Sequence, residues 1–182
     1  MAAQAPEAEL GNAAPAFALR GTDGKMHALD ALAGARGTVV AFICNHCPYV
    51  QAILPRLLRD ARELEAHGVR VIAINANDAV DYPEDDYPHM VKVSRGWPFD
   101  YLHDETQAVA RAYGAVCTPD FFGYDSALKL RYRGQLDASR KQAAADGTPR
   151  DLFDAMCLIA RTGNGPRQQT PGIGCSIKWR HP

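Results

Sequence analysis

The sequence lacks the features that mark membrane-spanning, secreted and nucleic-acid-binding proteins. No apolar run approaches the roughly 20 residues that a membrane helix needs, and residues 1–11 have neither the basic start nor the apolar segment of a signal peptide. Basic and acidic residues nearly balance, at 20 and 21 with a formal net charge of −1, so a nucleic-acid-binding surface is not expected. We therefore expect a cytoplasmic protein with no membrane partner and no nucleic-acid partner.

Cysteine is scarce, and its count is odd. Secreted proteins that depend on disulfides usually have an even number of cysteines in a shorter chain. The thiols of this protein are therefore expected to stay reduced or to cycle between oxidation states. They belong to Cys44, Cys47, Cys117, Cys157 and Cys175.

What is present is the composition of an ordinary folded domain. Hydrophobic residues make up 47% and charged residues 23% of the 182 residues, which is enough to bury a sizeable core. The chain shows neither an internal repeat nor a linker. We expect a flexible leader over residues 1–13 and a single domain over residues 14–182.

One stretch organises the rest of the chain. A continuously apolar segment, residues 39–43, ends on Cys44; Cys47 follows three positions later, and a helical pattern begins beyond Pro48. Two thiols at this spacing can reach each other, and the N–H groups at a helix N-terminus favour a thiolate. A strand, a C-x-x-C pair and a helix in succession indicate a redox-active pair. Two purely structural thiols, or half of a zinc site without its second ligand pair, are the alternatives.

The remaining pattern alternates between strands and helices. A hairpin over residues 14–29 comes first, the helix after Pro48 stops at Gly68 with a kink expected at Pro55, and a β-β-α unit ends the series. This order predicts an α/β fold with parallel strands and a closing antiparallel hairpin. Asp104 is expected to cap a helix that ends at Gly114.

An acidic loop separates two of these elements. Residues 75–88 include Asp81, Glu84, Asp85 and Asp86. We interpret the segment as a solvated loop that starts a helix, and the alternative is a charged rim that screens partners.

Three motifs resemble the thioredoxin-fold superfamily. They are residues 44–48 (Cys-Asn-His-Cys-Pro), residues 116–120 (Val-Cys-Thr-Pro-Asp) and residues 174–179 (Gly-Cys-Ser-Ile-Lys-Trp). With the start at residues 14–17, they are similar to the peroxiredoxin-like branch, the alkyl hydroperoxide reductase/thiol-specific antioxidant proteins, in a form that keeps a thioredoxin-type C-x-x-C. The resemblance implies a thioredoxin-like α/β fold: a central mixed β-sheet flanked by helices, with an N-terminal β-hairpin extension.

The resemblance also implies roles for four residues, and the position of a fifth, His46, suggests another. Cys44 would attack, Cys47 would resolve, and Pro119 would be a cis-proline facing the disulfide, with the Thr118 backbone presented to an extended substrate strand. His46 beside the pair would stabilise a thiolate and raise the reduction potential; the alternative is an exposed histidine that tunes nothing. No organic cofactor and no metal are expected.

The chain departs from both parent families. With Cys47 set on the peroxidatic cysteine, Cys44 takes the place of the usual hydroxyl residue, and Pro119 falls near the usual arginine. Thioredoxin's buried acid, six residues before its first cysteine, is replaced by Thr38. Both peroxide-polarising groups and the proton acceptor under the disulfide are therefore expected to be missing.

The other cysteines leave alternatives open. Cys117 is either a buried apolar group or a third redox thiol paired with Cys175. Cys175 lies in a tail expected to be otherwise unstructured, and a resolving thiol of the peroxiredoxin kind is one interpretation of it. Cys157 is expected in the core.

The C-x-x-C pair and the family resemblance are compatible with three functions. The first is a thiol–disulfide oxidoreductase that acts on a disulfide in a protein or small molecule and takes electrons from a thiol reductant or a reductase. The second is a thiol peroxidase that reduces hydroperoxides. The third is a redox-inert or metal-handling binding protein. The sequence leaves the oligomeric state open.

Overall fold

A computed structural model describes residues 2–6 and 9–180 of the chain. They form ten strands and five helices, with a short 3-10 turn at Pro83–Asp85. The strands are β1 (Ala2–Gln4), β2 (Ala18–Gly21), β3 (Met26–Ala28), β4 (Gly37–Phe42), β5 (Val69–Asn75), β6 (Asp100–His103), β7 (Cys117–Thr118), β8 (Asp120–Asp125), β9 (Leu130–Gly134) and β10 (Ile173–Ser176). The helices are α1 (Leu29–Leu32), α2 (Pro48–Glu65), α3 (Tyr87–Val93), α4 (Ala108–Tyr113) and α5 (Asp151–Thr162).

Seven strands form a mixed sheet with β4 in its interior. The order is β3-β2-β6-β5-β4-β8-β9. Strand β4 runs parallel to β5 and antiparallel to β8, and all six of its residues are buried because helices cover both faces of the sheet. The predicted α/β class, mixed sheet and N-terminal hairpin (β2–β3) are confirmed.

The two faces of the sheet carry separate apolar layers. On one face, α2 and α5 contribute Leu57 and Leu152 to the cluster that also holds both cysteines of the C-x-x-C. On the other face, α1 and α4 contribute Leu32 and Tyr113. Each layer stabilises the fold by about 25 cal/mol for every Å² of apolar surface that it buries. Because every residue of β4 is buried in these layers, the cysteines that follow β4 are held by a tightly packed strand.

Helix α2 begins directly after the second cysteine. Cys47 is its N-cap and Pro48 its first residue, a position where proline costs nothing because the N–H there has no partner within the helix. Pro55 lies inside the helix without ending it. Gly68, at φ +74°, follows the helix end, as the sequence predicted.

The chain ends that the sequence assigned to a flexible leader and an unstructured tail are paired instead. Ala2–Gln4 lies antiparallel to β10, and β10 lies antiparallel to β7. The Ala5 N–H also donates to the Gly172 carbonyl at 3.0 Å. Local sequence gives little sign of this small sheet because its backbone hydrogen bonds join segments that are far apart along the chain.

Helix α4 begins later than predicted. Its N-cap is Gln107, in a left-handed conformation with φ +62°, and the helix ends at Gly114 as expected. Asp104 is buried, and its carboxylate accepts from the Ala110 N–H at 2.8 Å, so it supports the helix start from outside. Of the helices in the part of the chain that the structure describes, none is long and apolar enough to cross a membrane.

Candidate active site

The structure places both C-x-x-C thiols inside the protein at the end of β4. Cys44 is 2% exposed and Cys47 is 0% exposed, and both are free thiols. The apolar packing of β4 fixes the first cysteine and the start of α2 fixes the second. The pair is thus held by two rigid elements.

The Thr118–Pro119 segment lies against the pair. Its peptide bond is cis. The Cys47 thiol donates to the Thr118 carbonyl oxygen at 3.1 Å, and Cys44 Sγ lies 3.4 Å from Thr118 Oγ1. The structure therefore brings together Cys44, Cys47, Thr118 and Pro119, four of the five predicted site residues.

The two sulfurs differ in their electrostatic surroundings. The neighbouring Cys44 and Cys175 thiols and the Val50 N–H at the start of α2 lower the pKa of Cys47 to about 4, and together they outweigh burial, which raises it. The neighbouring Cys47 sulfur, burial and the negative charge of Asp85 raise the pKa of Cys44 well above its usual range. These surroundings favour deprotonation of Cys47 over deprotonation of Cys44.

His46, the fifth residue, does not simply point into solvent. Its Nδ1 lies 2.6 Å from a carboxylate oxygen of Asp85, and its ring stacks on Tyr82 with centroids 5.3 Å apart and planes at 6°. These two contacts fix the ring, which retains 26% side-chain exposure. The imidazole is therefore positioned beside the thiols, at the border between the site and solvent.

Asp85 is the functional group that the sequence interpretation missed. The acidic loop was expected to be solvated, yet Asp85 is 0% exposed. Besides its contact with His46, its carboxylate accepts the Asn45 N–H and the Asn77 side-chain amide, both at 2.7 Å. Burying a carboxylate requires such partners. The amide residues at the end of β5, Asn75 in the strand and Asn77 two residues later, were the sequence signal that a polar group would be buried here.

Thr38 has a structural role. It is buried, and its hydroxyl accepts the Gly34 N–H at 3.1 Å. The carboxylate near the thiols comes instead from a different element, because Asp85 is brought to the C-x-x-C by the turn before α3. A buried acid is therefore present at the site although the position predicted from thioredoxin holds threonine.

The arginine that pairs with the residue directly after the Thr-Pro segment is engaged away from the thiols. Arg133 pairs with Asp120 at 2.9 Å and donates to the Gly114 carbonyl at 2.8 Å, and the two side chains are 7% and 1% exposed. Arg133 is therefore part of a buried ion pair, and these hydrogen bonds are made to oxygens away from the two thiols.

The remaining cysteines have distinct positions. Cys117 is fully buried, and burial raises the pKa of its thiol well above the usual range. Cys175 lies on β10 opposite Thr118 and is half-buried. Cys157 on α5 is half-buried and packs against the core.

Three of the site residues also offer a set of metal-ligating atoms. Cys44, His46 and Asp85 each contribute one such atom within 4.8 Å of the others. Asp85, however, already accepts three N–H groups, if the imidazole donates through Nδ1. Its lone pairs are therefore largely used before any metal is added.

The sequence around this site also matches a known protein family. A sequence model of the AhpC/TSA family matches residues 10–133, which is more than half of the chain. The chain belongs to the AhpC/TSA family. As a member of the AhpC/TSA family, it is a thiol-based redox protein, and the peroxiredoxin-like resemblance of its motifs is confirmed.

Two solved structures are similar to the chain over nearly its whole length. An uncharacterized conserved protein from Geobacillus kaustophilus is 44% identical, covering 99% of this chain and 97% of its own, with a TM-score of 0.93. A hypothetical protein from Sinorhizobium meliloti 1021 is 38% identical, covering 97% and 98%, with a TM-score of 0.92. No curated protein matches the chain.

A more distant structure shows the fold. A putative thiol:disulfide interchange protein DsbE from Chlorobium tepidum is 21% identical, covering 85% of this chain and 99% of its own, with a TM-score of 0.63. The predicted thioredoxin-like fold of this AhpC/TSA protein is thereby confirmed. At this identity the likeness concerns architecture alone.

Proposed function

We propose that this AhpC/TSA protein is a thiol–disulfide oxidoreductase that uses Cys44 and Cys47 as its dithiol. The observation that carries the proposal is the meeting of two free thiols at the N-terminus of α2, against the backbone of Thr118. Substrates would be disulfides in proteins or small molecules. Electrons would come from a thiol reductant or a reductase, in a reducing compartment such as the cytoplasm.

The electrostatics support a division of labour between the sulfurs that differs from the sequence-based expectation. The resemblance assigns attack to Cys44. The low pKa of Cys47, about 4, supports Cys47 as the thiolate that attacks the substrate disulfide. A mixed disulfide forms on Cys47 and one substrate thiolate leaves. Cys44 then attacks Cys47 Sγ, which releases the second substrate thiol and closes the Cys44–Cys47 disulfide.

This resolving step needs an acceptor for the proton of Cys44. A carboxylate oxygen of Asp85 and a ring nitrogen of His46 each lie within 4.8 Å of the Cys44 sulfur. The negative charge of Asp85 also raises the pKa of the Cys44 thiol. A carboxylate and imidazole in hydrogen-bond contact are suited to accept a proton and pass it to solvent through the exposed edge of His46. We assign Asp85 and His46 this proton-accepting role.

An insulin reduction assay with dithiothreitol tests the proposal. The wild type should accelerate disulfide reduction, and Cys44→Ser or Cys47→Ser should each abolish the acceleration, because attack requires Cys47 and resolution requires Cys44. Cys157→Ser, which alters a half-buried thiol on α5, is the matched control and should stay active. A wild type inactive with every thiol reductant would overturn the proposal.

Asp85→Asn should slow resolution while attack persists. Without the carboxylate, the Cys44 proton loses its acceptor, and turnover at neutral pH should fall by about 10². The same change removes a negative charge that raises the pKa of Cys44, so the pH–rate profile should also shift. Asp81→Asn, in the exposed part of the same loop, is the control. An unchanged profile with merely lower stability would give Asp85 a structural role only.

His46→Ala should make the Cys44–Cys47 disulfide harder to reduce. Removing the imidazole takes away a group that stabilises a thiolate and leaves the Asp85 charge without its partner. A free-energy change of about 1.4 kcal/mol corresponds to about 30 mV in a two-electron couple. We expect the reduction potential of the disulfide to fall by an amount of this order. Titration against a glutathione redox buffer measures it. An unchanged or raised potential would contradict the tuning role.

A thiol peroxidase is the second candidate, and one observation favours it. A low-pKa cysteine at a helix N-terminus, such as Cys47, suits attack on a hydroperoxide, which gives a sulfenic acid and an alcohol or water. Cys44 would then displace water from that sulfenic acid. Arg133, held on Asp120, gives no support for peroxide polarisation. A stopped-flow rate no faster than that of a free thiol would exclude this activity.

The metal-handling alternative is also testable. Cys44, His46 and Asp85 would be its ligands. Retention of stoichiometric zinc by the purified protein, together with thiols at Cys44 and Cys47 that never join in a disulfide, would favour this function over both redox candidates.

A further inference from the structure

The tail strand β10 places a third thiol beside the redox pair. In the antiparallel pairing of β10 with β7, Cys175 is opposite Thr118 and Ser176 is opposite Cys117. Directly opposed residues project to the same face of a sheet. Since the Thr118 hydroxyl faces Cys44, Cys175 lies on the side of the sulfurs, whereas Cys117 lies on the other side.

Contacts agree with this register. Cys175 packs against the core cluster that holds Cys44 and Cys47, and its nearby thiol contributes to the low pKa of Cys47. Burial and the neighbouring Cys47 sulfur raise the pKa of Cys175 to about 11. Cys47 therefore has two thiol neighbours, Cys44 on its own loop and Cys175 on the tail.

The backbone also holds the tail strand close to Thr118. A side chain at Gly174 would collide with the Thr118 carbonyl oxygen and with the nitrogen of Pro119, so only glycine allows this approach. Strand β1 pairs with the outer edge of β10, with Ala2 opposite Cys175. The tail thus occupies an edge of β7 beside Thr118, where an extended substrate would be expected to add.

We propose that Cys175 is a third redox thiol, which replaces Cys44 as the disulfide partner of Cys47. This step rests on the proposed function. Starting from the Cys44–Cys47 disulfide, Cys175 attacks Cys47 Sγ. The Cys47–Cys175 bond forms, the Cys44–Cys47 bond breaks, and the proton of Cys175 ends on Cys44. No external oxidant is required, because one disulfide replaces another. The tail strand is then a built-in substrate whose cysteine takes the place of a substrate sulfur.

Titration with dithiodipyridine, in a Cys157→Ser background, tests the exchange. Cys47 forms a mixed disulfide with one half of the reagent and releases the other half as a thione. A neighbouring thiol then attacks this mixed disulfide and releases a second thione. In Cys44→Ser, Cys175 should expel that second thione more than about 100-fold faster than happens in Cys44→Ser/Cys175→Ser, because the attack is intramolecular. Peptide mapping should find Cys47 joined to Cys175. Cys44→Ser/Cys117→Ser is the matched control and should behave like Cys44→Ser.

The outcomes separate this proposal from the proposed function. If the wild type forms the Cys44–Cys47 disulfide but Cys44→Ser keeps the pyridinethiolate on Cys47, the third thiol is inert and only the exchange is overturned. If the wild type forms neither disulfide, the proposed function itself fails. Because Cys44→Ser is a buried change, the wild type provides a second measurement: its oxidised form should contain a Cys47–Cys175 fraction that is absent in Cys175→Ser.

Discussion

Cys47 in a Cys44→Ser variant should react with iodoacetamide at neutral pH at least about 100-fold faster than Cys44 in a Cys47→Ser variant. The thiolate is the reactive form. Cys47 has its pKa lowered to about 4 at the N-terminus of α2, whereas Cys44 is buried near Asp85 and has its pKa raised. Serine at position 44 still offers a hydroxyl that can donate to the Cys47 sulfur, so the thiolate persists in that variant.

Site-specific alkylation, followed by peptide mass spectrometry over a pH series, measures both rates in one experiment. Cys47 should stay reactive well below pH 7, and Cys44 should need alkaline pH. Cys117, fully buried with a raised pKa, is an internal reference that should alkylate slowly in both variants. The opposite order, with Cys44 the faster thiol, would return the attacking role to the residue that the family resemblance assigns.

The predictable parts of this site are those encoded by neighbouring residues. A continuously apolar strand, a C-x-x-C and a proline at the first position of a helix lie within one short segment, and each fixes its own local geometry. The Thr-Pro segment was placed by its resemblance to a known motif. The structure brings these segments together because β4 and β8 are adjacent strands.

The parts that escaped prediction depend on contacts between distant segments. Asp85 belongs to an acidic stretch in which its neighbours are partly or fully exposed, and only the fold directs this one carboxylate to Asn45 and His46. The register of β10 is set by pairing with β7 and β1. Neither pairing leaves a periodic signal in the sequence, so the third thiol looked like part of a structureless tail.

These two unpredicted features give the site its asymmetry. Asp85 lies on the side of Cys44 and disfavours negative charge there, whereas the Cys175 thiol helps to lower the pKa of Cys47. The sequence pattern treats the two cysteines as nearly equivalent. Their different roles follow from the loop before α3 and from the tail.

Arg133→Met should destabilise the protein by about 3–5 kcal/mol at neutral pH, the usual cost of leaving one partner of a buried ion pair without the other. Arg133 and Asp120 are 7% and 1% exposed, and they lie 2.9 Å apart. Asp120 begins the strand that follows Pro119, so the effect should extend to the Thr-Pro segment. Chemical denaturation gives the free energy of unfolding.

The deficit should also depend on pH, with a sign fixed by the burial of Asp120. Burial raises the pKa of this carboxyl above its usual 3.8 even with Arg133 present. Losing the arginine raises the pKa further. An acid whose folded pKa lies above its unfolded value costs stability as the pH rises past the unfolded value. The loss in Arg133→Met should therefore grow from about pH 4 toward neutral pH and shrink on acidification.

Two control variants make the interpretation specific. Arg131→Met, two residues earlier on β9, breaks a pair with Asp125 in which the arginine is 33% exposed, and it should cost at most about 1 kcal/mol. Asp120→Asn/Arg133→Met removes the charge that the single variant leaves unpaired, so it should recover much of the loss and have little pH dependence. Equal destabilisation by the single and double variants would mean that packing of the arginine side chain over Phe122, rather than its charge, holds this strand in place.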